Sequence, residues 1–253
     1  MNDDLTIFGL ALSSSVSLRG IFIPRPSIAG VLEKYADPAL FFTTDFPDFP
    51  LTKGGSLTRV KYKERYFAIT TCHQFDRHSY DYKQLILIGT KVGDGVTSHN
   101  STSPSASGDQ RDVIDCVILE FTASVEDGKV EKNRFLEIPL IEKWRFTEDY
   151  FCCFCIGYPS HRNNLDERHY SMAANAVWGE PCEPLIHRRI SFRPFKSLEY
   201  EPDGMSGGPV FSLSDDMGRH VVELAGILTN ASSRAFNFLP MSEIYPLLEY
   251  ATR

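Results

Sequence analysis

Apolar and polar positions alternate over short spans along most of the chain. "SLTRVKYKERYFAITT" (56–71) sets β-branched and aromatic residues on both sides of Lys63-Glu64 and predicts a hairpin with a charged turn. Compact apolar runs predict further strands at "QLILIG" (84–89), "DCVILEF" (115–121), "YFCCFCIGY" (150–158), "RRISFRPF" (188–195), "GPVFSL" (208–213) and "VVELAGILT" (221–229). The Gly/Ser/Thr-rich stretch 92–110 carries no such pattern and reads as a mobile loop.

Helical spacing occurs in two places. Ser27 caps a predicted helix whose apolar positions Ile28, Val31, Leu32 and Tyr35 share one face, and which ends before Pro38. Near the end, "MSEIYPLLEYA" puts Ile244, Leu247 and Leu248 on one face, with Pro246 expected in the first turn. "FPDFP" (46–50) reads as an ordered loop, and the first fifty residues as an elaboration. Many short strands, few helices and closely spaced turn signals point to an all-β barrel or sandwich.

Composition narrows the function classes. A net charge of −7 argues against a nucleic-acid partner held through phosphates. No apolar run reaches membrane-spanning length, so no membrane partner is expected. The start, Met1-Asn2-Asp3-Asp4, is acidic where a secretory signal is basic, which leads to the expectation of a cytoplasmic protein. Six cysteines are then expected as free thiols, and the Asn100 and Asn230 acceptor patterns carry no meaning.

"DGMSGGPVF" (203–211) carries the candidate chemistry. A serine hydroxyl is a weak nucleophile that needs a base, and donors aimed at the oxygen that turns negative. Glycines let successive N–H groups point into one small space, making Gly204 and Ser206 the candidate donors. A plain tight turn into the next strand accounts for the same residues. Of seven histidines, only His73 closes a convincing buried strand, "YFAITTCH", where an imidazole is held rigidly enough to serve as base. A core histidine bonded to a backbone carbonyl is the alternative. An acid must hold that imidazole in one tautomer. Asp115, which heads an apolar strand, is the candidate, and Asp112 is its competitor.

In the order His, Asp, Ser, these three stretches resemble the trypsin-like (chymotrypsin-fold) serine peptidases, of an intracellular, bacterial type. The family carries Thr-Ala-Ala-His at a strand end, an Asp heading an apolar strand, and Gly-x-Ser-Gly-Gly-Pro. "CIGYP", "LAGILTNA" and "FNFLPMSEI" are similar to its second-barrel opening, cleft-lining and closing segments. The resemblance covers roughly residues 54 to 250. It implies two six-stranded antiparallel barrels with the site in the cleft between them. Residues 1–50 form the elaboration, 51–145 the first barrel, and 146–253 the second barrel and a C-terminal helix. It implies a serine endopeptidase acting on protein or peptide substrates through His73, Asp115 and Ser206, without cofactor. A catalytically silent fold that binds proteins is the alternative.

The departures are informative. Cys72 precedes the histidine, whereas the secreted enzymes carry a disulfide cysteine after it. Met205 stands where zymogen-type members have the aspartate that pairs with a new N-terminus, so that switch is missing. Restraint by residues 1–50, by the 92–110 loop or by a regulatory protein partner is the expectation. The floor of the primary pocket falls on Tyr200, followed by Glu201, with Thr229, Asn230 and Ala231 opposite. Cys72, His73, Asp76 and His78 lie close in sequence, but no Cys-x-x-Cys pair has a matching second pair, so no metal is expected.

Overall fold

The computed structural model describes residues 14–44, 50–77, 79–91, 94–104, 114–142, 150–165, 170–184 and 186–253. An N-terminal hairpin, β1 (Ser15–Leu18) and β2 (Ile21–Pro24), leads through the short helix α1 (Ile28–Leu32) into β3 (Ala36–Phe42). There follow β4 (Leu51–Tyr62), β5 (Arg65–Thr70), helix α2 (His73–Asp76), β6 (Leu85–Ile88), β7 (Gly95–Thr97), β8 (Asn100–Thr102), β9 (Val117–Glu120), helix α3 (Thr122–Glu126) and β10 (Leu136–Glu137). The second half contains β11 (Tyr150–Gly157), β12 (Asn164–Leu165), β13 (Tyr170–Ser171), β14 (Asn175–Cys182), β15 (Ile190–Pro194), β16 (Pro209–Asp216), β17 (Arg219–Ala231), β18 (Phe236–Pro240) and helix α4 (Met241–Ala251).

The second half closes into a six-stranded barrel in the order β16-β11-β14-β15-β18-β17, with β17 pairing back onto β16. The first half is a curled sheet in the order β7-β6-β3-β4-β5-β9-β8, with β10 parallel to β4. It is not a second closed six-stranded barrel, as no pairing joins β7 to β8 among the described residues. One closed barrel and one curled half-barrel sheet, with a C-terminal helix, match the layout of a chymotrypsin-like double barrel.

The β4–β5 hairpin forms at the predicted place. Lys63 (φ 47°) and Glu64 (φ 61°) both take the left-handed conformation between the paired Tyr62 and Arg65. A two-residue loop of that geometry matches the twist of its strands. Other expectations need correction. The fifty-residue elaboration contains β3, which pairs with β4 and β6, so the first sheet begins at Ala36. The helical stretch does end before Pro38, at Tyr35, and Pro38 lies inside β3. It is tolerated because β6 pairs with β3 only at Leu40 and Phe41, leaving the Pro38 stretch unpaired on that side. Ser27 occupies the N-cap of α1 without a capping side-chain bond. The stretch expected as a mobile loop contains β7 and β8, which pair with β6 and β9. Pro246 lies in the second turn of α4, because that helix begins at Met241 directly after β18. "FPDFP" lies largely outside the described residues.

Strand alternation sorts side chains into three cores. Phe41, Leu57, Ala68, Leu85 and Leu119 fill the first sheet. Cys153, Cys155, Phe192, Met205, Val210 and Phe238 fill the second barrel. Their out-of-phase neighbours meet between the halves: Val60, Phe67 and Ile69 pack with Phe154, Ile156 and Phe211, roofed by Ile244 and Leu248 of α4. Full burial of each such side chain contributes about 1.5–3 kcal/mol. All six cysteines are free thiols. No helix among the described residues is long and apolar enough to cross a membrane.

One buried ionic cluster interrupts the first sheet. Asp37 on β3 pairs with Arg59 on β4 and with Arg134, and the Arg59 guanidinium stacks 5.5 Å from the Phe135 ring. Arg59 is 1% exposed, so its charge depends on that carboxylate. Asp37→Ala is expected to lower stability by about 3–5 kcal/mol, because it strands a buried cation. Urea denaturation checks this through a lower midpoint at unchanged slope.

Candidate active site

β5 ends at Thr70, earlier than the sequence pattern suggests, and His73 opens helix α2. Three bonds fix the crossing. Thr70 Oγ1 donates to the Ser56 carbonyl at 2.7 Å, Cys72 Sγ donates to the Cys116 carbonyl at 3.2 Å, and the Phe75 N–H donates to the Cys72 carbonyl at 2.9 Å. Asp115, immediately before β9, accepts twice from His73. Its Oδ1 takes the backbone N–H at 3.1 Å, and its Oδ2 lies 2.6 Å from Nδ1. A carboxylate oxygen accepts, so this contact holds a proton on Nδ1, and in the neutral ring Nε2 is then the acceptor. Nε2 faces Thr71 Oγ1 at a long 3.4 Å.

Residues 203–208 form a tight loop ahead of β16. Gly204 and Gly207 both have φ +87°, a region that residues with a Cβ rarely adopt. Space requires glycine as well: a Cβ on Gly207 would stand 2.0 Å from the Ser56 carbonyl oxygen. The first half grips this loop. The Ser56 N–H donates to the Ser206 carbonyl at 2.8 Å, Ser56 Oγ to the Gly204 carbonyl at 2.8 Å, and Thr58 Oγ1 to the Gly207 carbonyl at 2.9 Å. Gln74 Nε2 donates to the Ser206 carbonyl at 2.7 Å. Met205 is fully buried in the second barrel's core, so an apolar anchor stands where the resemblance has an ion pair.

Within the loop, the Met205 N–H donates to the Pro202 carbonyl and the Gly207 N–H to the Leu228 carbonyl. The N–H groups of Gly204 and Ser206 have no acceptor among the described residues. Ser206 Oγ donates to the Thr229 carbonyl at 3.1 Å and makes no hydrogen bond to His73. Lys53 Nζ lies against Gly204, within 2.5 Å of where a Cβ would sit. Burial pushes the Lys53 ammonium down to about 8, and the nearby Asp203 opposes that shift.

A cleft of about 470 Å³ brings together His73, Asp115, Ser206, Gly204, Glu201 and the wall Thr229-Asn230-Ala231. Tyr200 does not line it. Its hydroxyl pairs with Asn175, its ring centroid lies 4.1 Å from that of His161, and it faces a separate cavity beside Trp178. Asp112 and His78 lie outside the described residues. Among the described residues, no three His, Cys, Asp or Glu side chains are grouped to hold a metal ion. Sequence reading missed Lys53, Ser56, Gln74 and Arg189, each of which lines or braces the site. None sits in a recognisable motif; what reveals them is contact across the fold.

No protein-family model matches this sequence, and no curated protein matches it at a significant level. Among solved structures, the chain is similar to human heparin binding protein, with a TM-score of 0.55 and 12% identity over 87% of this chain and 92% of that one. At that identity the likeness speaks for the fold alone.

Proposed function

We propose that this chain is a serine endopeptidase that hydrolyses peptide bonds in protein substrates. The observation carrying the reading is the doubly bonded His73–Asp115 pair, which lines one cleft together with Ser206. Ser206 Oγ attacks the scissile carbonyl while His73 Nε2 accepts its proton, and the imidazolium then returns a proton to the leaving amine. Asp115 orients the ring and stabilises its cation. The free N–H groups of Gly204 and Ser206 hold the oxyanion, and the Lys53 ammonium adds positive charge beside them. Thr229, Asn230, Ala231 and Glu201 contact the substrate. To take this role, the Ser206 side chain turns from the Thr229 carbonyl toward His73 when a peptide binds; catalytic hydrogen bonds are often unmade in apo enzymes. Six free thiols support work in a reducing, cytoplasmic setting. With Met205 in place of an acid, activation proceeds without an N-terminal ion pair, and restraint falls to residues 1–50, the 92–110 loop or a protein partner.

The engagement of Ser206 Oγ with the Thr229 carbonyl favours a second reading, a silent fold that binds proteins. Heparin binding, as named for the similar human protein, sits poorly with a net charge of −7. Incubation with a denatured protein substrate, followed by identification of new N-termini, separates the two readings. The peptidase generates termini at a restricted set of bonds. Absence of any beyond background favours the binding module.

A further inference from the structure

Arg189 is the least explained charged group at the cleft. It is 6% exposed, it lines the cavity that holds Ser206 and His73, and its Nη1 is buried without any hydrogen-bond partner. Among the described residues it makes no ion pair; Asp115 and Glu243 act on it only through space. Removing a guanidinium from water without a paired carboxylate is costly, and proteins rarely leave it so. The Arg189 N–H closes a turn onto the Ile186 carbonyl at 3.2 Å, with Arg188 in the left-handed region at φ 58°. Strain of that kind in a non-glycine residue persists where the surroundings impose it, often beside functional sites.

We infer that Arg189 is the anion-recognition group of this cleft, and that the favoured substrates carry an aspartate or glutamate side chain close to the scissile bond. This rests on the peptidase reading above. A substrate carboxylate supplies the acceptor that buried Nη1 lacks, and the planar fork of arginine suits a carboxylate. The cleft's own acids do not cancel this. Asp203 is paired with Arg77 at 3.7 Å, and Asp76 and Glu201 are exposed and screened by solvent. Asp115 is committed to His73.

The test uses quenched fluorescent peptides that differ only by Glu or Gln at each of the positions flanking a cleaved bond. Wild type is expected to favour Glu by about 10- to 100-fold in kcat/KM at one position, the scale of a charge-assisted hydrogen bond. In Arg189→Met that ratio falls to near 1, and in Arg189→Lys it is intermediate. A wild-type ratio near or below 1 at every position, or a ratio that survives in Arg189→Met, overturns the inference. Failure of the peptidase reading shows up separately, as no cleavage of any peptide by wild type. In that event the same peptide pairs are titrated against the full chain by fluorescence polarisation. A tenfold preference for Glu, lost in Arg189→Met, supports the anion site, and its absence overturns it.

Discussion

On the peptidase reading, Ser206→Ala is expected to lower kcat on the order of 10⁶-fold, and His73→Ala to do the same, because each removal would disable the same proton-coupled attack. The double variant is no worse than either single one, since the groups act as a unit. Stability barely moves in Ser206→Ala. The hydroxyl gives up one neutral hydrogen bond to the Thr229 carbonyl, while the loop stays anchored by Met205, Ser56, Thr58 and Gln74. Initial rates on a peptide substrate and a thermal melt of the same samples check both statements. Near-wild-type turnover in Ser206→Ala removes that serine from the chemistry.

Asp115→Asn is expected to reduce kcat by about 10⁴-fold. The carboxylate now accepts from both Nδ1 and the backbone N–H of His73, at 2.6 and 3.1 Å. An amide there turns its NH₂ toward Nδ1 and moves the ring proton to Nε2, the atom that must accept from Ser206. Asp112→Asn changes kcat less than about threefold, because the acceptor that orients the ring is untouched. If the two variants exchange behaviour, Asp112 is the orienting acid. Steady-state kinetics on the pair decides it.

Much of this arrangement is legible in the sequence, for local reasons. Strands such as β5, β9 and β16 are dense in β-branched and aromatic residues, and a hairpin with two charged central residues is marked by the runs on either side of it. Glycines at 204 and 207 read as a special turn because few other residues fit there. What escapes is set by distance in sequence. Short strands β7 and β8 are polar and borrow their order from β6 and β9, so no periodicity betrays them. β3 hides behind a proline that only its half-unpaired position permits. Tyr200 lies where the resemblance puts the pocket floor, but its contacts with Asn175 and His161 draw it to another cavity. Arg189 sits in the strand run "RRISFRPF", where nothing in the sequence marks it off from Arg188, and only the packed fold shows it buried.

Activated nucleophilicity at Ser206 is the central claim, and a fluorophosphonate probe reads it directly. Incubated with folded wild-type protein and then digested, the probe is expected on a single peptide, attached to Ser206, and absent from Ser206→Ala and His73→Ala. Unlabelled wild type, or label on a different residue that persists in Ser206→Ala, contradicts the account.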